Sequence, residues 1–405
     1  MTRSALRGKD FLRLWTSSTA SGLATWALPF ILGLAVLDRS IGAVELGVVL
    51  AARTAGFLVA VPVAGVLADR YPRRRILLVA GLVAAAASPL IALGVGRSTV
   101  VMAVAAAAVG AGQGACRPAY QALAAEVVAE DRRQQANAAM TLSVRVTTLV
   151  APGLTALVAV FVDTPVLLIA TGVLWLVAAV LPPAGTARVA VTATRPRFTA
   201  DFVDGLREAR RHPWFLAGLG ALTAVIATGY SATGVALPLV SRDRYGTEAV
   251  LAAALTAYTL GALVGAVLMA RWRPRAQGWV ALAGLGVYGF APLSLLLPVP
   301  AAVVVGAYVV AGLGIELFNV PWFTGTQREV EPTKLARVSS LDFLLSYGLA
   351  PVGLALIAPA IDHFGARPVL AVCAVVCFAA PAAAALVPST REFRTTSPRV
   401  GGPGR

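Results

Sequence analysis

The chain has 405 residues, of which 58% are apolar or aromatic and 13% charged, with a mean hydropathy of +0.79, where soluble domains carry about 25% charged residues. This excludes a large water-soluble enzyme, because too few ionisable side chains exist to cover a folded body of this size, and it places the chain among integral membrane proteins of the all-α, polytopic class. The 34 Lys and Arg against 19 Asp and Glu would suggest nucleic acid in a soluble chain, but their placement points elsewhere.

A membrane-spanning helix needs about 20 apolar residues, and irregular backbone is not tolerated against lipid. The basic start is followed by an apolar run too long for a signal peptide and without a small-residue cleavage site, so it reads as a retained first helix. That run, 14–37, has no charge. The second lies between Glu45 and Asp69 and contains only Arg53; the third is 76–96, the fourth 98–116, the fifth 134–162 with only Arg145 inside, and the sixth lies between Asp163 and Arg188. After a polar stretch come 212–241, 249–270, a 40-residue run over 276–315, then 343–361 and 368–390. Pro298 and Pro300 divide the 40-residue run, which makes twelve spans.

With the amino terminus in the cytoplasm, the inner segments hold 27 Lys and Arg and the outer loops 5, while Arg53 and Arg145 lie within spans. That asymmetry is the positive-inside pattern, and it accounts for the basic charge without nucleic acid. Trp15, Trp214, Trp272, Trp279 and Trp322 fall at predicted inner helix ends, where their rings would anchor at the headgroups. The expected location is therefore the cell membrane, multi-pass, with both termini cytoplasmic. Cys116, Cys373 and Cys377 sit in apolar runs and are expected to pack, not to form a disulfide or metal site.

The longest polar segment, 184–212, divides the chain into six-helix bundles over 1–183 and 213–387, leaving 388–405 as an expected disordered tail. Self-comparison supports a duplication. Gly110-Ala111-Gly112 matches Gly312-Leu313-Gly314 at an offset of 202, Val128 meets Val330 at the same offset, and Ala151-Pro152 meets Ala350-Pro351 at 199. Residues 54–59 likewise meet 259–264 at 205. Matches in chain order at nearly one offset describe a repeat-built transporter.

Between the second and third spans stands Gly65-Val66-Leu67-Ala68-Asp69-Arg70-Tyr71-Pro72-Arg73-Arg74-Arg75. Gly65 permits close helix contact, Asp69 is an acceptor at the membrane surface, and the arginines stay in the cytoplasm. This resembles motif A of the major facilitator superfamily. The resemblance implies that Asp69 caps a helix of the other half in the outward-open state and that Arg73 pairs with an acid near the end of the fourth helix, for which Glu126 is the candidate. Pro72 stands where the family usually has Gly, and the equivalent loop of the second half, 270–275, lacks the Asp, so the gate is expected to lean on the first half. The 11–22 stretch, Phe318 to Gln327 and Leu335 to Ser340 with Asp342 are similar to the enterobactin exporter and macrolide efflux branch, which implies drug or siderophore export driven by proton antiport. The motif B arginine is absent, since 104–109 is wholly apolar, and the antiporter motif of the fifth helix remains only as Leu149-Val150-Ala151-Pro152-Gly153.

Ionisable residues inside a bilayer cost about 3 kcal/mol each and usually face a cavity or a partner. Arg53 and Arg145 fall near the midplane, Glu316 about 9 Å from the inner end of the tenth helix, and Asp342 a turn or two inside the eleventh, by the helical rise. The arginines are expected at a substrate cavity or in structural ion pairs. Thr25, Trp26, Gln113, Tyr230, Tyr258 and Asn319 complete the candidate cavity. Proton coupling, if it follows the branch, falls to Glu316 and Asp342. Both histidines flank helix ends. No phosphate-binding loop, nucleophile elbow or helix-borne metal pair is present, so no cofactor is expected and the chain does not read as an enzyme.

The leading expectation is a monomeric secondary transporter that exports a small amphiphilic compound by alternating access, using a proton gradient. The alternative is an importer or facilitator of a small, possibly anionic metabolite. Reporter fusions at Arg188 and at the carboxyl end should both read cytoplasmic, and a periplasmic signal from either would overturn the topology.

Overall fold

Duplicated glycines set the architecture, because they decide which helices can approach backbone to backbone. The computed structural model describes residues 8–394 except 186–197, 248 and 349, and of Asp69 and a few other helical residues it describes only the backbone. The first half comprises α1 (Lys9–Leu37), α2 (Ala43–Arg70), α3 (Arg73–Gly94), α4 (Thr99–Val127), α5 (Arg133–Ala159) and α6 (Thr164–Val180). The short helix α7 (Phe198–Arg210) precedes the second half. That half contains α8 (Pro213–Tyr245), α9 (Ala249–Arg271), α10 (Gln277–Leu296), α11 (Ala301–Glu329), α12 (Leu335–Gly348 and Ala350–Phe364) and α13 (Ala366–Ala385). Ten of these are long and apolar enough to cross a membrane. With the shorter apolar α6 and the two-part α12 they account for the twelve spans.

In the first half α2 lies on α4. A Cβ on Gly56 would stand 2.0 Å from the Ala107 carbonyl oxygen, and one on Gly110 would stand 1.9 Å from that of Arg53. The second half repeats this between α9 and α11, where Gly261 meets the Val309 oxygen at 2.0 Å and Gly312 the Tyr258 oxygen at 1.9 Å. Gly112 against Ala80 of α3 and Gly314 against Gly284 of α10 form a second matched pair. The offsets seen in the sequence are thus offsets between equivalent helix crossings. Across the seam, α2 packs on α12 and α5 on α9.

Several boundaries differ from the sequence expectation, and the reason is shared. Charges ended the predicted spans, but these helices carry charges inward. α4 runs to Val127 and takes Arg117 inside it, α11 runs to Glu329, and α12 starts at Leu335. Glu316 is therefore thirteen residues from the end of its helix, about 20 Å at 1.5 Å per residue, and sits at mid-depth, not near the inner end. The break at Pro298 and Pro300 falls where expected.

Trp214 and Trp322 are fully buried and do not anchor at headgroups. They stack with Phe215, Phe318 and Phe393 in an aromatic cluster. Trp272 and Trp279 are exposed, as interfacial rings would be. Phe393 belongs to the segment expected to be a disordered tail, yet 388–394 form a short turn with Ser389, Thr390 and Phe393 buried; residues 395–405 lie outside the described part. The three cysteines are buried and unpaired.

Helix α7 clamps the start of α12. The Glu208 carboxylate accepts from Lys334 Nζ at 3.0 Å and Arg211 Nη1 at 3.1 Å, and Asp204 accepts from Arg337 Nη1 at 3.2 Å. Burial works to raise the Glu208 pKa, but the Lys334 hydrogen bond and the charges of Lys334, Arg211 and His212 outweigh it and hold the carboxyl below its ordinary value. A depressed carboxylate stabilises the fold above its unfolded pKa and loses that contribution as pH falls through the folded value. The Glu208 contacts therefore stay intact at neutral pH and weaken in acid.

Gly110→Ala should lower stability by about 1–3 kcal/mol through overpacking, read as a lower melting temperature in detergent. Gly306→Ala on α11, with nothing within 4 Å of the added methyl, should leave it unchanged.

Candidate functional site

Two polar regions lie on the seam between the halves, one at the end of the bundle that carries the arginine-rich 2–3 loop and one at mid-depth. At the arginine-rich end, Gly65 of α2 faces α12 so closely that a Cβ would meet Ser340 Oγ at 2.3 Å. Arg73 pairs with Glu126, as expected, with both side chains buried. The same guanidinium donates to the Pro332 carbonyl of the other half at 2.6 Å. The Asp69 side chain lies outside the described residues. Arg70 is half-buried and Arg74 exposed.

A second set of contacts seals the same end between α5 and the other half. Gln134 donates to the Met269 and Trp272 carbonyls at 2.6 and 2.7 Å. Asn137 donates to Thr324 Oγ1 at 3.0 Å and Gln327 Oε1 at 2.9 Å, while Gln327 Nε2 reaches back to Gln121. Arg133 caps the Gln327 carbonyl at 3.0 Å and Arg273 donates to that of Asp131 at 2.5 Å. These amides were missed in the sequence because a Gln or Asn near a helix end resembles ordinary surface polarity. Only the opposite half shows what they bind.

At mid-depth the halves enclose a cavity of about 250 Å³. Thr25, Trp26, Gln113, Arg145, Tyr230, Tyr258, Glu316 and Asn319 all line it, so the sequence candidates from six helices converge on one space. A π-turn at Val225–Tyr230 interrupts α8 at the cavity wall, a deviation frequent at functional sites. Arg145 of α5 and Glu316 of α11 form an ion pair across the seam, Nε to Oε1 at 2.6 Å and Nη2 to the same oxygen at 2.5 Å. The Arg145 guanidinium also stands over the Tyr258 ring, 5.7 Å from its centroid.

Two expectations shift. Arg53 does not line the cavity; it lies one layer behind, donating to Gln113 Oε1 at 2.8 Å and the Thr25 carbonyl at 3.1 Å. Asp342 does not face the cavity either. It is buried, accepting from Trp322 Nε1 and from the Ser346 hydroxyl, each at 3.1 Å, and it positions the aromatic cluster. Arg117, absent from the candidates, does line the cavity and stands over the Phe343 ring at 5.9 Å. It was lost because a charge was taken to end the fourth span, whereas Pro118 and the residues after it continue the helix. Tyr120, Tyr288, Phe323 and Phe343 complete an aromatic wall.

The description Major Facilitator Superfamily matches residues 14–354. The chain belongs to that superfamily. Its fold is shared with the human organic anion transporter MFSD10 (TETRAN), at a TM-score of 0.77 and 14% identity over 94% of this chain and 100% of that one. It is also shared with a bacterial homologue of the iron transporter ferroportin in an outward-facing state with soaked iron, at 0.73 and 16% over 93% and 98%. No curated protein matches it in sequence. Family membership makes the chain a membrane transporter.

Removing one partner of a buried ion pair strands the other charge, so Arg73→Ala or Glu126→Ala alone should each cost about 3–5 kcal/mol. The double variant should cost clearly less than the sum, read by thermal unfolding in detergent. Strict additivity would show that the pair is not coupled.

Proposed function

We propose that this chain is a secondary transporter for a small amphiphilic organic compound with an anionic or electron-rich group, moved across the cell membrane by alternating access. One observation carries the reading. The cavity wall is largely aromatic and apolar, yet it presents Arg117 and Arg145 against a single carboxylate, Glu316, with Arg53 held behind Gln113. Such a wall offers an apolar body rings to pack against and an anionic head a guanidinium that binds carboxylate-like groups in a bidentate way. The human transporter that shares the fold carries organic anions by its description, which accords with this chemistry. The other similar structure is a homologue of an iron transporter, but among the described residues no three His, Cys, Asp or Glu side chains gather to hold a metal ion.

The positive-inside asymmetry supports placing the arginine-rich end and both termini in the cytoplasm. On that placement the Arg73, Gln134 and Asn137 contacts close the cytoplasmic end. The likeness of the sequence to exporters of drugs and siderophores supports export with proton antiport, by a monomer. With Asp342 packed behind Trp322, Glu316 is the carboxylate that this reading leaves in the cavity as proton carrier. Uptake of a small anionic metabolite is the second reading, and the guanidinium-lined wall favours it.

Cells producing the protein should hold less of a fluorescent amphiphilic anion such as fluorescein than control cells if it exports, and more if it imports. Arg117→Ala should weaken half-saturation by about 10- to 100-fold, the loss of one charged hydrogen bond of about 1.5–3 kcal/mol. Unaltered fluorescein levels with the folded protein in the membrane would remove the organic-anion reading.

A further inference from the structure

A second cavity, of about 450 Å³, lies between the halves at the arginine-rich end. Its first-half wall is the turn before α5 and the start of that helix, with Arg133; its second-half wall is the loop before α10 and the end of α11, with Arg273 and Arg328. Neutral acceptors hold all three guanidinium groups. Arg133 donates from Nη1 to the Gln327 carbonyl at 3.0 Å and from Nη2 to that of Ala125 at 3.1 Å, while its Nε is buried without a hydrogen-bond partner. Arg273 donates to the Asp131 carbonyl, and Arg328 to the carbonyls of Glu392 and Phe393.

A carbonyl fixes a guanidinium without neutralising it. Among the described residues Arg133 and Arg273 form no ion pair, and Arg328 shares Glu329 with Arg394, at 3.0 and 3.9 Å. The acids on the rim do not cancel the charge. Asp131 is exposed and meets Arg132 at 3.7 Å, and Glu130 is exposed to water.

We infer that this cleft binds a compact phosphate-bearing anion and that the bound anion holds the arginine-rich end shut. Guanidinium forks match the oxygens of phosphate in pairs, and the volume is that of an ordinary small-molecule site. Arg133 belongs to one half, Arg273 and Arg328 to the other, so an anion touches all three only while the end is closed. A ligand shifts an equilibrium by the difference in its affinity for two states, and here that difference is at least one charged contact. On the alternating access proposed above, occupancy slows turnover. The phosphate group can arrive on a free metabolite or on a lipid headgroup, since Trp272 next to Arg273 is exposed as an interfacial ring would be.

The test uses magnesium-free pyrophosphate on the purified full chain in detergent, read by calorimetry and by backbone hydrogen exchange. One pyrophosphate should bind per chain, and exchange should slow on both sides of the seam, over 128–136 and over 270–277. Arg273→Ala, at an exposed position, should weaken binding by about 10- to 100-fold and abolish the protection. Arg207→Ala, an exposed arginine of α7 that does not line the cleft, should leave both unchanged. In phosphatidylglycerol nanodiscs pyrophosphate should bind as it does in phosphatidylcholine if the natural ligand is free, and should be excluded if the lipid headgroup fills the cleft. Should Arg273→Ala fail to fold, paired protection in the unmodified chain decides. Equal weakening by Arg207→Ala, protection on one side only, or binding of spermine in place of pyrophosphate would overturn the inference.

Discussion

Helices in a bilayer gain nothing from hiding apolar surface, since lipid tails are as apolar as leucine, and what holds them together is close backbone approach with the dispersion and polar contacts it permits. In this protein that constraint falls on a few glycines, used twice. Gly56 and Gly110 bring α2 and α4 into contact, and Gly261 and Gly312 do the same for α9 and α11. Each half therefore has a rigid backbone-to-backbone pair. The helices beside these pairs, α1, α5 and α8 among them, give side chains to the cavity.

The seam between the halves is built on another principle. Its contacts at the arginine-rich end run largely from side chains to backbone carbonyls, as from Gln134 to Met269 and from Arg73 to Pro332. A hydrogen bond of this kind contributes about 1 kcal/mol net, because water takes over the carbonyl when the bond opens. Several together hold one end shut without a single strong lock. The strong pairs, Arg73 with Glu126 and Glu208 with Lys334, lie within the first half or between the α7 linker and the second. They can persist while the seam opens. The exception is Arg145 with Glu316, which crosses the seam at mid-depth, and that exception is where substrate chemistry can reach the movement.

Much of this was legible in the sequence, and what was not has a physical reason. Twelve spans, the division into halves and the repeat followed from hydropathy and offset, because backbone satisfaction in lipid leaves few alternatives. The Arg73–Glu126 pair was legible through its motif. Arg117 was not, since a charge beside a proline reads as a loop until a cavity and the Phe343 ring are seen to receive it. Asp342 was given to proton coupling because an acid inside a span suggests function; the helix face it occupies points to Trp322 and Ser346, and with serines on several sides of Leu335–Gly348 the sequence does not single that face out. Trp214 and Trp322 were misplaced for a related reason, as the tail residue Phe393 that buries them is remote in sequence.

The two halves have diverged in a way that bears on movement. Arg53 and Tyr258 occupy equivalent places in the repeat, each with its carbonyl against a glycine of the partner helix, Gly110 in one half and Gly312 in the other. The first half has put the guanidinium groups at the cavity, Arg117 and Arg145 with Arg53 one layer behind, beside the rings of Trp26 and Tyr120, and the second has supplied most of the rings, Tyr230, Tyr258, Tyr288, Phe323 and Phe343, with one carboxylate. Arg145 already lies over Tyr258, a cation facing a ring across the seam. A ligand with an anionic head and an apolar body would touch both halves at once, each through a different kind of contact. Only interactions that differ between two conformations can shift their balance. A ligand that bridges the halves meets that condition, because the distance between its two kinds of partner changes whenever the halves rock.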